Sequence, residues 1–309
     1  MCKSNKAFSF LCDPGPGDAL RFIHSFCEYI NCNNKLGVVY CLPEAWKKCN
    51  LLINKCNKNC GKGITTQLVD SVDKLNDILA NIKCEYIFHA FETNWFIPNT
   101  KIFPKQITKN IKADFVQMDR YCNQYYMRNK FSDHLTLPSV SDFNSKTGII
   151  FVRITNIVPE RNLTSNILEA IINNVSSNNL QYVFSGSSLP KEFYEIVDSN
   201  DVVELFPNEK YPDYYSQICE YSKYSYAVGM NSGALDLAAA SGIKIIRIGE
   251  YHHHLSHQGK HYNDFLINNT TINILSNSEY DISNINNYSI NQAFNYLIAI
   301  KNARLINIQ

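Results

Sequence analysis

Two short loops hold the residues best suited to chemistry. Asn231-Ser232-Gly233 lies between the apolar run Val228-Gly229-Met230 and the segment Ala234-Leu235-Asp236-Leu237-Ala238-Ala239-Ala240. The order reads as a buried strand, a tight turn and a short alanine-rich helix, followed by a second buried strand over Ile243–Gly249. A turn of this kind presents backbone N–H groups at a helix N-terminus, where the helix dipole also favours negative charge. Small side chains let a ligand approach that backbone, so the chemistry on offer is the holding of a phosphate or diphosphate. The plainer alternative is a strand–helix–strand unit whose alanines only permit close packing. The second loop, Asp13-Pro14-Gly15-Pro16-Gly17-Asp18, sets two carboxylates where a strand hands over to a helix. One role open to Asp18 is an N-cap, which stabilises a helix by about 1 kcal/mol.

Cationic residues stand where they would meet an anion. Arg153 ends the apolar run from Gly148, and Arg161 lies in the loop that follows. A guanidinium there clamps a diphosphate through two parallel hydrogen bonds and offsets charge on a leaving group. Otherwise each is a surface ion pair of little energetic value. Lys191, at the start of a short helical pattern, either reaches the same phosphates or is solvated. Two clusters have the composition of metal sites without the spacing. Cys49, Cys56 and Cys60 are separated by seven and four residues, and His252, His253, His254, His257 and His261 form no settled ligand set. No metal site is expected.

The elements that must position these residues alternate between strand and helix. In the first half, residues 7–12 read as a strand and Ala19–Ile30 as a helix with Leu20, Ile23, Phe26, Cys27 and Ile30 on one stripe. Residues 37–42 read as a strand, 69–82 as an amphipathic helix, 85–90 as a strand and 114–127 as a helix. Ser132–Lys146 has no period and reads as a linker. The alternation then restarts: strand 148–153, helix 163–175, strand 181–185, helix 190–197, strand 202–205, helix 211–221, the 231–233 turn with its flanking strands and helix, and a closing helix over 290–306. Strands alternating with helices on this scale imply parallel sheets with right-handed crossovers. The expected fold class is α/β, with two doubly wound, Rossmann-like parallel-sheet domains, 1–140 and 141–309, facing across a cleft. The last helix is free to return to the first domain.

Composition narrows the class of partner. A length of 309 residues suits two domains, and 45% apolar with 18% charged residues describes a folded globular chain. A formal net charge of +1 gives no overall field to gather nucleic acid or an acidic membrane. No apolar run approaches the ~20 residues that span a bilayer, and Ala7–Cys12 is too short for the core of a secretory signal. A cytoplasmic location is expected. Ten of the eleven cysteines precede residue 123 and are expected to be reduced thiols there.

Two blocks of the chain are similar to the GT-B glycosyltransferases, most of all to the ADP-heptose–lipopolysaccharide heptosyltransferase family. Phe10–Phe26, with its Pro-Gly-Pro-Gly-Asp loop, resembles the Gly-Asp loop that opens the family's N-terminal domain. Pro207–Gly249, with Asn231-Ser232-Gly233, resembles its donor-diphosphate turn, and Ser185-Gly186-Ser187-Ser188 with Lys191 resembles a loop of its C-terminal domain. Asn231 stands where the family has an acidic residue, and Asp236 where it has a histidine.

The resemblance implies transfer of a sugar from a nucleoside-diphosphate donor to a glycan, lipid-linked or protein acceptor. Transfer would invert the anomeric centre, with neither an obligatory metal nor a cofactor. It makes Asp18, with Asp13 as rival, the general base that deprotonates the acceptor, and puts Gly17 and Trp95 on the acceptor side. Arg153, Ser187, Lys191, Asn231, Ser232, Gly233 and Asp236 would serve the donor, with Glu250 on a sugar hydroxyl and His252 on sugar or phosphate. Phe96, Tyr121, Tyr125 and Tyr126 either stack on an acceptor sugar or pack the core. Phe151-Val152-Arg153 also resembles the arginine loop of the fucosyltransferases. The alternatives are a fucosyltransferase-like enzyme, an epimerase of the same architecture, or a nucleotide- or glycan-binding protein of this fold without catalysis.

Overall fold

The computed structural model describes residues 5–57, 63–90, 114–117, 146–152, 162–185, 191–197, 211–230, 232–251, 271–276, 282 and 284–306. The chain divides into two compact units, Met1–Leu137 with Pro212–Gln217, and Pro138–Tyr211 with Ile218–Gln309.

The first unit runs β1 (Lys6–Leu11), α1 (Pro16–Asn33), β2 (Leu36–Cys41), α2 (Pro43–Asn57), β3 (Ile64–Leu68), α3 (Val72–Asn81), β4 (Tyr86–His89) and β5 (Asp114–Gln117). Its sheet is parallel in the order β3-β2-β1-β4-β5. α1 starts at Pro16, three residues before the apolar stripe predicts, because proline at the first helical position is already set for helix and spends an N–H that has no partner there. Its predicted stripe, Leu20, Ile23, Phe26, Cys27 and Ile30, is buried. Gly37 of β2 lets this helix come close: a Cβ there would lie 2.3 Å from Ile30 Cδ1.

Three features of this unit depart from the sequence reading. Asp114–Gln117, expected to be helical, is a strand paired with β4 from Tyr86↔Asp114 to His89↔Gln117. Pairing along a neighbouring strand outweighs local spacing when only four residues are at stake; residues 118–127 lie outside the described residues. α2 was not foreseen, yet Ala45, Cys49, Leu52, Ile53 and Cys56 are all buried on one helical stripe. The cysteines considered as ligands serve there as small apolar residues, and Cys60 lies outside the described residues. β3 was missed because it is polar and largely exposed.

The second unit runs β6 (Thr147–Phe151), α4 (Ser165–Ser177), β7 (Gln181–Ser185), a 3₁₀ turn (Lys191–Glu195), α5 (Tyr214–Tyr221, its first four residues belonging to the first unit), β8 (Tyr226–Met230), α6 (Gly233–Ala240), β9 (Lys244–Tyr251), β10 (Thr271–Ser276) and α7 (Asn287–Ile306). The sheet is again parallel, in the order β10-β9-β8-β6-β7. The 190–197 helix is thus only a 3₁₀ turn, and the expected strand over 202–205 lies outside the described residues. α7 packs on the second unit itself: Ile290, Ala293, Phe294 and Leu297 join its core, and Asn291 Nδ2 donates to Asn174 Oδ1 of α4 at 2.9 Å. No helix among the described residues is long and apolar enough to cross a membrane.

One cross-strand contact ties three strands of this sheet together. Tyr226 of β8 lies beside Gly148 of β6, and its hydroxyl donates to the Gln181 carbonyl of β7 at 2.8 Å. The ring occupies the space a side chain at 148 would need, since a Cβ there would sit 2.1 Å from Cζ. Gly148→Ala therefore forces the ring aside, and overpacking of this kind costs about 1–3 kcal/mol. Urea denaturation reads the loss, and an unchanged midpoint would show that the ring moves freely.

Candidate active site

In an open parallel sheet, ligands sit beyond the carboxyl ends of the strands where the strand order reverses. The reversal falls between β1 and β4 in the first unit and between β6 and β8 in the second. The 13–18 loop follows β1, and the 231–233 turn follows β8. Arg153 comes two residues after β6 ends, outside the described residues.

The first loop is built around its two carboxylates. Gly15 is the N-cap of α1, with extended φ −62° and ψ 161° and no side-chain cap bond, so Asp18 is not the cap. Asp18 is instead the third residue of the helix, in the first turn, where a negative charge suits the helix dipole. Arg21, one turn on, pairs its Nη2 with Asp18 Oδ1, and its Nε donates to the Gly17 carbonyl at 3.2 Å. Asp18 remains 25% exposed at its side chain. Asp13 is held from another element, with Lys48 Nζ of α2 at 2.5 Å from Oδ1. The buried Tyr214 hydroxyl donates to the Pro14 carbonyl at 2.8 Å. Gly17 is buried in the first turn of α1.

The second turn is a capped helix start. Ser232 is the N-cap of α6, its Oγ accepting from Leu235 N at 3.4 Å and its carbonyl from Asp236 N at 3.2 Å. The N–H groups of Gly233 and Ala234 come first in the helix, where no intrahelical acceptor exists, and are the donors an anion would meet. Asp236 is 4% exposed and lies 2.7 Å from Arg247 Nη2 of β9, itself 2% exposed. These two atoms approach closely without hydrogen-bond alignment, a contact between opposite charges. Removing one partner of such a buried pair costs about 3–5 kcal/mol.

β9 continues past its predicted end. Gly249 has φ +78°, a conformation that favours glycine, and the register with β10 slips between Ile274 and Leu275. The slip is a β-bulge at the carboxyl end of the sheet, a device that re-aims the residues after it. Glu250 follows on the same strand. Lys191 opens the 3₁₀ turn and is exposed. Tyr221 of α5 hydrogen bonds with Ser185 at the end of β7 and meets Phe151 of β6 edge-on at 5.2 Å.

Arg153, Arg161, Ser187, Asn231, His252 with the rest of its cluster, Trp95, Phe96, Tyr121, Tyr125 and Tyr126 lie outside the described residues. Sequence reasoning overlooked Arg21, Lys48, Tyr214, Tyr221 and Arg247. Arg21 had a signal, an opposite charge three residues along the helix from Asp18. The others meet their partners through distant strands and helices, which no local pattern records.

No protein-family model matches the chain, and no curated protein matches it in sequence. Solved structures do match. A glycosyl transferase family 9 protein from Veillonella parvula superposes with a TM-score of 0.61 at 10% identity, over 97% of this chain and 99% of that one. The ADP-heptose lipopolysaccharide heptosyltransferase II of E. coli gives 0.58 at 11%, over 96% and 99%. The E. coli heptosyltransferase WaaC, solved with ADP, gives 0.55 at 8%, over 94% and 100%. The fold is that of these glycosyltransferases. The two parallel-sheet α/β units expected from the sequence are therefore present.

Two measurements probe the second unit's geometry. Ser232→Ala loses the cap and about 1 kcal/mol of stability, whereas Ser232→Gly loses only a few tenths; equal losses in urea titrations would show that the hydroxyl caps nothing. Burial pushes the Tyr221 hydroxyl up to about 12, from an ordinary value near 10. Above pH 10 the unfolded chain releases a proton that the folded chain keeps, so stability is full below pH 10 and falls as pH rises towards 12. The slope is about 1.4 kcal/mol per pH unit for this group. Tyr221→Phe should make the alkaline decline shallower, and an unaltered decline would dismiss the linkage.

Proposed function

We propose that the protein is an inverting glycosyltransferase that moves a sugar from a nucleoside-diphosphate donor to an acceptor hydroxyl, without a metal or further cofactor. The observation that carries this reading is the Ser232-capped start of α6, at the end of β8 and beside the strand-order reversal. Its setting is a chain that shares a fold along nearly its whole length with glycosyltransferases. In the reading, the Gly233 and Ala234 N–H groups meet the donor diphosphate, with Arg153, Ser187, Lys191 and Asn231 as further donor contacts. Glu250 and His252 address the sugar. Asp18 accepts the proton of the acceptor hydroxyl as oxygen attacks the anomeric carbon and the bond to the diphosphate breaks. Arg21 orients that carboxylate.

Charge grows on the leaving diphosphate as the bond opens, and donors fixed in advance stabilise it without reorganising. The acceptor, a glycan, lipid-linked glycan or protein, is held on the side of Gly17 and Trp95. In this reading the reaction takes place in the cytoplasm.

A second reading, a nucleotide- or glycan-binding protein without transfer activity, has one observation in its favour: Asp13 and Asp18 each carry an ion pair. The two readings separate cleanly. Nucleoside diphosphates and their sugars are screened by thermal shift, since a ligand that binds only the folded state raises its stability by mass action. The best donor is then used in a transfer assay. Asp18→Asn should lower transfer about 100-fold or more while donor affinity stays within about threefold. Native protein that binds a sugar nucleotide and neither transfers nor hydrolyses it would favour the second reading.

A further inference from the structure

We propose that Asp236 and Arg247 are positioning residues whose buried charges fix the register of α6, and through it the N–H groups of Gly233 and Ala234. The inference rests on the donor-site reading above. α6 is eight residues long, Gly-Ala-Leu-Asp-Leu-Ala-Ala-Ala, and apart from Leu235 and Leu237 its apolar side chains are methyl groups or absent. Such a helix offers neighbouring elements little relief to grip, so packing alone sets its rotation and axial position loosely.

Asp236 is the one charged residue of the helix, and it is buried. Its partner stands on β9, whose place is set on both sides by pairing of Arg247 with Gly229 of β8 and Asn273 of β10. A slide or turn of α6 would part the two charges inside the core, where neither is compensated by water. The pair therefore works as a pin between a smooth helix and a rigid sheet. Asp236 N–H also bonds to the Ser232 carbonyl, so the pinned residue is one hydrogen bond from the turn itself. Asp236 accordingly acts on the donor through the helix and not by touching it.

The test compares the double variant Asp236→Leu/Arg247→Met with Arg247→Lys. The double variant removes both charges and keeps apolar volume, so the fold survives; Arg247→Lys keeps a positive charge facing Asp236. Two readouts are taken: hydrogen exchange of the α6 amides in the ligand-free protein, and affinity for inorganic pyrophosphate by calorimetry.

For the double variant we expect α6 exchange to rise about tenfold relative to β8 and β9, and pyrophosphate affinity to fall about tenfold. Loss of the groups that orient metal ligands has effects of about this size at metal sites. Arg247→Lys should stay within about threefold of native in both. Native exchange and affinity in the double variant would reduce the pair to packing, and a lysine variant as impaired as the double variant would overturn the charge pin. Native protein that fails to bind pyrophosphate, with the exchange effect intact, would overturn the donor-site reading and leave the pin standing.

Discussion

The structure depends on where its strand order turns round. The chain runs from β1 towards β3 in one direction, and the later strands β4 and β5 lie on the other side. In the second unit β7 lies on one side of β6, while β8, β9 and β10 lie on the other. In an open parallel sheet, the place where the strand order reverses is where a crevice opens beyond the carboxyl ends of the strands. A loop that leaves there can be short, polar and close to a ligand without disturbing the core. The 13–18 loop and the 231–233 turn both leave from such strands, which is why glycine, proline and serine are affordable in them.

Loops poor in apolar side chains need other means of being held. In each unit the means is a polar contact that comes from another element. Lys48 of α2 holds Asp13, Tyr214 holds the Pro14 carbonyl, and Arg247 of β9 holds Asp236. Each partner stands on a helix or strand with its own buried face, so the loop borrows rigidity from the scaffold. Burial sharpens the effect. A buried acceptor left without its donor costs more than the bond itself contributes, so the Tyr214 contact with the Pro14 carbonyl resists opening. So does the buried Asp236–Arg247 pair, whose separation would strand a charge.

What the sequence made legible follows from the range of each interaction. The stripe of α1 and the strand–turn–helix–strand order over 226–249 are local patterns, and the structure has both. α2 lies on a Lys- and Asn-rich stretch, and part of its buried stripe is two cysteines that serve there as small apolar residues. β5 and β10 exist by virtue of their neighbours. Four residues, Asp114-Phe115-Val116-Gln117, carry too little pattern to announce a strand without β4 beside them. The end of β9 was misjudged because Gly249 reads as a stop, whereas a left-handed glycine lets the strand bulge and go on. For the candidate site the sequence pointed to loops rather than to partners. Asp18 was visible, but its exclusion from the cap position depends on Pro16 and Gly15 starting the helix earlier.

That early start bears on which carboxylate suits proton transfer. A base must be held within a fraction of an ångström of its productive place. Asp13 sits in a bend, and its partner Lys48 is a flexible point charge, 31% exposed, on another helix. Asp18 is part of the first turn of α1, its backbone fixed by the helix and its carboxylate faced by Arg21 from the same helix. The guanidinium is more confined, 14% exposed, and its Nε is spent on the Gly17 carbonyl, so its fork has little freedom to swing away. A planar donor fixed in this way sets the direction of the carboxylate as well as its charge. For the proposed transfer reaction Asp18 is thus held more firmly than Asp13, and its hold comes from Arg21, which no functional reading of the sequence singled out.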